Sequence, residues 1–282
     1  MIRLLRAGFR RYLRSPIWWI AFTAALFFGV LFGDQAMRST QLEAASLIYF
    51  HLILACLISL TVGREVGERV IRNKIIAGHG KTKILFSELL LALFASLILE
   101  ILFTTPILIG SIKLLSRVPL YIKMYALIET LLFNVLCVVI NVLLAILIHN
   151  RAVSAIICIL LVLVIALGAS EIYTALNQKE FHRTPQFVYN EEIDAHQVII
   201  KEERNPNYVS GTKRHLYLFL LRCSPYGQAC VYTSSANDHL HSTLPIDEEH
   251  TETLKTGWCY TVGVTAVFIT VGVLLFRRRD MK

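Results

Sequence analysis

Hydrophobic residues along this chain gather into six blocks, at 17–32, 45–62, 85–109, 125–148, 152–169 and 258–276. A helix needs roughly 20 mostly apolar residues to cross the hydrocarbon core of a bilayer. Helices are favoured there because no water is present to satisfy an open backbone. The blocks therefore predict six transmembrane helices, the first short enough to borrow flanking residues. Only His149-Asn150-Arg151 separates the fourth block from the fifth, which predicts a tight helical hairpin.

The polar stretches predict the rest. Ahead of the first block, Ile2, Leu5, Phe9, Tyr12 and Leu13 fall on one helical face, and Arg3, Arg6, Arg10 and Arg14 on another. Such a helix lies in the membrane interface; the plainer reading is a basic tail. No small-x-small cleavage site closes the first apolar run, so it reads as a retained anchor and not a signal peptide. Residues 171–257 are too polar to span. Within them Phe187-Val188-Tyr189 and Gln197-Val198-Ile199-Ile200 read as short strands, and Arg204-Asn205-Pro206-Asn207 as a turn. Residues 215–221 read as a helix that Ser224-Pro225-Tyr226-Gly227 breaks. The expectation is a small cap whose last part dips into the outer interface, with a disordered loop as the alternative. The fold class is thus an all-α polytopic membrane protein with a mixed extracellular insertion between helices 5 and 6. Its parts are helices 1–5 in 1–170, the insertion 171–257, and helix 6 with a basic tail in 258–282. No internal repeat and no heptad pattern is present.

Composition agrees: 55% of residues are hydrophobic and 17% charged, against about 25% charged in soluble domains. The net charge of +8 gains meaning from its placement. Arg3, Arg6, Arg10, Arg11 and Arg14 precede the first span. Arg64, Arg69, Arg72, Lys74, Lys81 and Lys83 lie between the second and third, Arg151 between the fourth and fifth, and Arg277, Arg278, Arg279 and Lys282 after the last. The short loops on the other side hold only Arg38, Lys113, Arg117 and Lys123. Positive residues stay inside, which puts both termini in the cytoplasm of a multi-pass cell-membrane protein. The basic excess then serves topology and contact with anionic lipids, and nucleic acid is not an expected partner.

The chemistry of catalysis is thin. Gly80-Lys81-Thr82 resembles the end of a P-loop, but the required earlier glycine position is Ile75. The chain is not expected to bind or hydrolyse ATP itself. Glu248-Glu249-His250 lacks the spacing of a zinc protease motif. His239, His241 and His250 with Asp238 are weak metal ligands beside the plainer reading of a solvated loop. No Gly-x-Ser-x-Gly elbow and no nucleophile with a paired base is visible, so neither a catalytic residue nor a resident cofactor is expected.

Several polar residues lie at membrane depth. Glu100 and Glu129 fall within the third and fourth blocks. Ionisable groups there are costly and face a cavity or a partner, which makes both candidates for a substrate path; the plainer reading puts Glu129 among headgroups. Thr130, Asn134, Cys137 and Asn141 make a polar stripe on the fourth helix, and helix packing explains it better than substrate contact. His51 reads as an interface histidine and not a proton relay. Cys56, Cys137 and Cys158 lie within spans. Cys223 and Cys230 lie in the exported segment, where a bridge is compatible with the compartment but not dictated by it.

The cytoplasmic segment 64–83 carries the strongest signal. Glu65–Arg69 and Glu68–Arg72 are i,i+4 pairs that favour a short helix, which Gly78 and Gly80 would end. It reads either as a basic loop that holds orientation or as a coupling helix. The segment resembles the cytoplasmic loop of type-2 ABC exporter permeases, in particular the bacitracin and lantibiotic resistance group of Gram-positive bacteria. Glu65 matches the acid of that loop, Ile71-Arg72-Asn73-Lys74-Ile75 its core, and Gly78-His79-Gly80-Lys81-Thr82-Lys83-Ile84 its end. Departures are Val66 for an aromatic residue, Arg69-Val70 for Gly-Thr and Gly80 for Ser. Ser224-Pro225-Tyr226-Gly227-Gln228 resembles the family's Pro-x-Gly-Gln before the last helix. Leu275-Phe276-Arg277-Arg278-Arg279-Asp280-Met281-Lys282 resembles its apolar-basic-Asp tail.

The resemblance implies a six-helix half-transporter with an interfacial N-terminal helix. It implies a separate ATP-binding subunit that holds ATP and Mg, and a second permease, the same chain or a sibling. Glu65, Glu68, Arg69, Arg72, Asn73, Lys74 and His79 would form the docking site for that subunit. The cargo would be a peptide antibiotic or an amphipathic molecule. The rival is a membrane sensor or immunity protein that binds a ligand outside without transport. A secondary transporter would show repeats and broken helices. Substitution of Glu65 or Arg72 separates the exporter from its rivals, because only the exporter needs an ATPase partner.

Overall fold

Six helices of the computed structural model are long and apolar enough to cross a membrane, at Pro16–Arg38, Ser46–Gly67, Lys81–Gly110, Leu120–Leu147, Arg151–Leu176 and Thr256–Arg278. The structure describes residues 2–40, 45–148, 150–190, 195–241 and 248–278. The element order is α1 (Ile2–Arg14), α2 (Pro16–Arg38), α3 (Ala45–Gly67), α4 (Val70–Ile76), α5 (Lys81–Gly110), α6 (Ile112–Leu115), α7 (Leu120–Leu147) and α8 (Arg151–Leu176). It continues with β1 (Phe181–Asn190), β2 (Ala195–Arg204), α9 (Gly211–Cys223), α10 (Pro225–His241) and α11 (Glu248–Arg278).

The first span does borrow flanking residues and runs on to Arg38. Pro16 opens it at a position where its missing N–H costs nothing. At the start of α8, Asn150 caps the helix by accepting from the amides of Ala152 (2.9 Å) and Val153 (3.4 Å). His149, the other half of that expected turn, lies outside the described residues.

The α2–α5 contact is the closest in the bundle. A Cβ on Gly29 would lie 2.7 Å from the carbonyl oxygen of Phe103, and one on Gly33 2.6 Å from that of Pro106. Gly29-Val30-Leu31-Phe32-Gly33 is thus a small-xxx-small contact that lets two backbones touch. Aromatic rings fill the space beside it: Phe32 and Phe103 (6.2 Å between centroids), Phe50 and Phe103 (5.4 Å), and Phe32 and Tyr49 (5.0 Å). These rings join α2, α3 and α5. Helix α3 packs on α7 and α8, and α11 packs on α7. Apolar side chains on the far faces stay exposed, among them Ile20, Phe27, Val164, Leu167, Val267 and Leu274.

Helices α1 and α4 lie at one end of the bundle. Lys81 at the start of α5 donates to the carbonyl of Arg277 at the end of α11 (3.3 Å), so the last turn of α11 shares that end. The insertion is more ordered than a loop. Strands β1 and β2 form an antiparallel hairpin of ten pairs from Phe181–Arg204 to Asn190–Ala195, longer than the two short runs expected. Asn205 donates its amide to Glu180 (2.8 Å) and closes the hairpin's base. Ser224 breaks α9 from α10 as expected, and Gly227 allows the corner: a Cβ there would meet the Leu221 carbonyl at 2.6 Å. Helix α10 then packs into the bundle against α7 and α8, with Tyr226, Gly227, Gln228 and Val231 buried.

Candidate functional site

The segment after the second span is built by two backbone irregularities. Helix α3 continues through Gly67. The chain then breaks at Arg69, the one described non-glycine residue with positive φ (57°), and restarts as α4. Gly78, at φ 85°, ends α4 with hydrogen bonds from its own amide to Ile75 (3.0 Å) and from His79 to Lys74 (3.1 Å). That is a glycine-type helix stop.

The break changes which residues meet, and it corrects two expectations. The Glu65–Arg69 and Glu68–Arg72 pairs do not form, because the turn at Arg69 takes their partners out of helical phase. Glu68 pairs with Arg64 instead (2.6 Å). Glu65 and Lys74, expected on the docking surface, face the bundle. Lys74 Nζ lies 2.7 Å from Glu65 Oε2 and 2.5 Å from Glu88 Oε1. Arg11 of α1 reaches the other oxygen of Glu65 at 3.1 Å. Glu88 is wholly buried, and the Glu65 and Lys74 side chains are about nine-tenths so. Ile71 of α4 is buried beside them. One short helix is therefore clamped by charge to α3 and α5, and through Glu65 to α1.

Tyr12 of α1 seats its hydroxyl 3.3 Å from Thr61 Oγ1 of α3. Burial first, and then the nearby Glu88 carboxylate, push this phenol above its ordinary range, so it stays a neutral hydroxyl. A cleft of about 260 Å³ opens beside it, lined by Arg11, Arg14, Arg64 and Glu68 among others. The outer side of the segment is left to Arg69, Asn73, Ile76 and His79, all exposed, with Arg72 half-buried. Ile76 is an apolar tip, 72% exposed.

A second set of polar groups crosses the interior. Glu100 of α5 accepts from Asn134 of α7, so two residues flagged separately are partners. Glu129 of α7 is buried and accepts from Thr261 of α11 (2.5 Å). Gln228 of α10 donates to Thr261 Oγ1 (3.2 Å) and to the carbonyl of Gly257 (3.2 Å). The Pro225–Gln228 motif thereby ties α10 to α11. Asn141 is buried, and its side-chain oxygen has no partner among the described residues. Of the stripe on α7, Asn134, Cys137 and Asn141 are buried and Thr130 is half-buried. His51 is buried, bonded through Nδ1 to the Leu47 carbonyl (2.7 Å) and stacked on Phe133 with centroids 4.0 Å apart.

Cys223 and Cys230 are free thiols. The open alternative therefore resolves against a bridge: the first ends α9, and the second lies inside α10 beyond the corner. Among the described residues no group of three or more His, Cys, Asp and Glu gathers to hold a metal. The side chains of His239, His241 and His250, and the tail from Arg279 onward, lie outside the described residues.

Glu88 and Arg11 were missed as members of the clamp. The signal for Glu88 was available, since an acid at the start of a long apolar block is as costly as Glu100. No family model matches the chain, and no curated protein matches it.

Proposed function

We propose that this chain is the membrane-spanning permease subunit of an ATP-driven ABC exporter. The observation that carries the reading is α4, a short helix anchored from within by Lys74, Glu65 and Glu88 that leaves Asn73, Ile76 and His79 outward. A helix so held moves with α1, α3 and α5 when pushed, which is what a lever needs. The resemblance of 64–83 to exporter coupling loops supplies the partner, a separate ATP-binding subunit that holds ATP and Mg. It also supplies the direction of transport, the second permease, the bacterial cell membrane and a peptide or amphipathic cargo. Both termini are cytoplasmic in this reading, and α4 faces the ATPase. ATP drives motion only if it binds one conformation more tightly than the other.

A membrane sensor is the second reading, favoured by the ten-pair β1–β2 hairpin, an ordered structure outside the spans. A mild-detergent pull-down from the native cell separates the two. Glu65 is a poor probe, because its loss breaks the internal clamp. The informative variant is Ile76→Asp/Asn73→Ala, on the exposed side. A P-loop ATPase that copurifies with the parent and is lost from the variant, at unchanged melting temperature, supports the permease. A parent chain that emerges folded and alone overturns it.

A further inference from the structure

Glu129 is a buried carboxylate with little company. One oxygen accepts from Thr261, and the other has no hydrogen-bond partner among the described residues. No ion pair reaches it there. The residue lines a cavity of about 120 Å³ between α3, α7 and α10, the share of roughly four waters in the liquid. The remaining wall is apolar and aromatic: Leu47, Phe133, Pro225, Ala229 and Tyr232. The hydroxyls of Thr130 and Thr233, also in the wall, donate to carbonyls of their own helices (2.7 Å to Ala126, 2.9 Å to Ala229). The cavity thus sets a carboxylate with one unpartnered oxygen, two threonine hydroxyls and two aromatic residues around one space.

A carboxylate beside aromatic rings in an apolar recess is the chemistry that holds substituted ammonium ions. A neutral donor such as an alcohol would leave the charge uncompensated, and an anion would be repelled. A hydrated metal ion would find one carboxylate where oxygen-rich sites use several. A second cavity of about 200 Å³ shares Thr233 with the first, and Phe32, Ile107, Leu108 and Leu115 form its apolar wall alongside Gln35, Ser46 and Ser111. It gives an apolar chain on the ammonium somewhere to lie.

We propose that the cavity of Glu129, Phe133 and Tyr232 binds a substituted ammonium group carried on an alkyl chain. The site stands whether or not the chain pairs with an ATPase. Such a group comes either from a lipid headgroup or from a soluble amphiphile.

Calorimetric titration of the full chain in phosphatidylglycerol nanodiscs tests it, with choline, its uncharged carbon isostere and hexyltrimethylammonium as probes. Choline binds and the isostere does not. Hexyltrimethylammonium binds more tightly, by about fourfold for each methylene buried. Glu129→Gln keeps an acceptor for Thr261 and loses about a hundredfold in affinity. Tyr232→Leu, with the carboxylate intact, loses roughly tenfold and guards against a folding defect in the first variant. Nanodiscs of phosphatidylcholine or phosphatidylethanolamine separate the sources: competition with the probe marks a lipid occupant, and unchanged affinity a soluble one. Equal binding of choline and its isostere, unchanged affinity in Glu129→Gln, or no binding of any probe to the parent overturns the proposal.

Discussion

Lys74→Met tests the clamp under α4. The substitution keeps most of the side-chain volume and removes the only ammonium between Glu65 and Glu88. Arg11 remains near Glu65, but its side chain is 42% exposed, and no other described cation pairs with Glu88. Removing one member of a buried ion pair costs about 3–5 kcal/mol, because the partner's charge is left uncompensated. Lys74 is 11% exposed, so solvent screens little of that. In chains of this order of size 1 kcal/mol shifts Tm by roughly 2–4 °C, which puts the fall at about 6–20 °C. The second variant, Lys74→Met/Glu88→Gln, removes the stranded charge as well and should recover most of the loss. Fluorescence-detected size-exclusion melting in one detergent reads all three proteins. A single variant that melts within about 2 °C of the parent would refute the clamp, as would a double variant no more stable than the single.

Gly33→Leu should splay α2 from α5, since even a Cβ would press on the Pro106 carbonyl at 2.6 Å; overpacking of this kind costs about 1–3 kcal/mol, and the same melting assay reads it, with Gly168→Ala, which meets no neighbour, as the unchanged control. Burial raises the pKa of the Cys223 and Cys230 thiols, so both should react slowly with maleimide near neutral pH and faster as pH rises. A mass-spectrometric count of labels on protein denatured without reductant should find every thiol modified, and an unmodified Cys223–Cys230 pair would refute the free-thiol assignment.

The spans were legible because a transmembrane helix is a property of composition over a window, and neighbours need not be known to read it. The glycine stop after α4 was legible for a similar reason: Gly78 takes a backbone conformation that few other residues accept. What could not be read was the facing of Glu65 and Lys74. A continuous helix through 65–72 puts Glu65 beside Arg69. A single left-handed residue at Arg69 undoes that phase, and nothing about an arginine announces it. Glu100 and Asn134 each stood out alone, but their pairing depends on how α5 packs on α7. Thr261 drew no notice, since a threonine in a span is ordinary until a carboxylate is found next to it.

The polar contacts fall into an order that the apolar packing alone would not require. Lys74 joins α4 to α5 through Glu88. Twelve residues later, about 18 Å along the same helix, Glu100 joins α5 to α7 through Asn134. Glu129 then joins α7 to α11 through Thr261, and Gln228 adds α10. Apolar helix faces can slide by small steps at little cost, whereas a buried hydrogen bond is either kept or lost with its partners stranded. A bundle stitched this way resists gradual deformation and favours movement of α5, α7 and α11 as a set. Displacement of any one of these helices meets, at each contact, groups that cannot yield halfway.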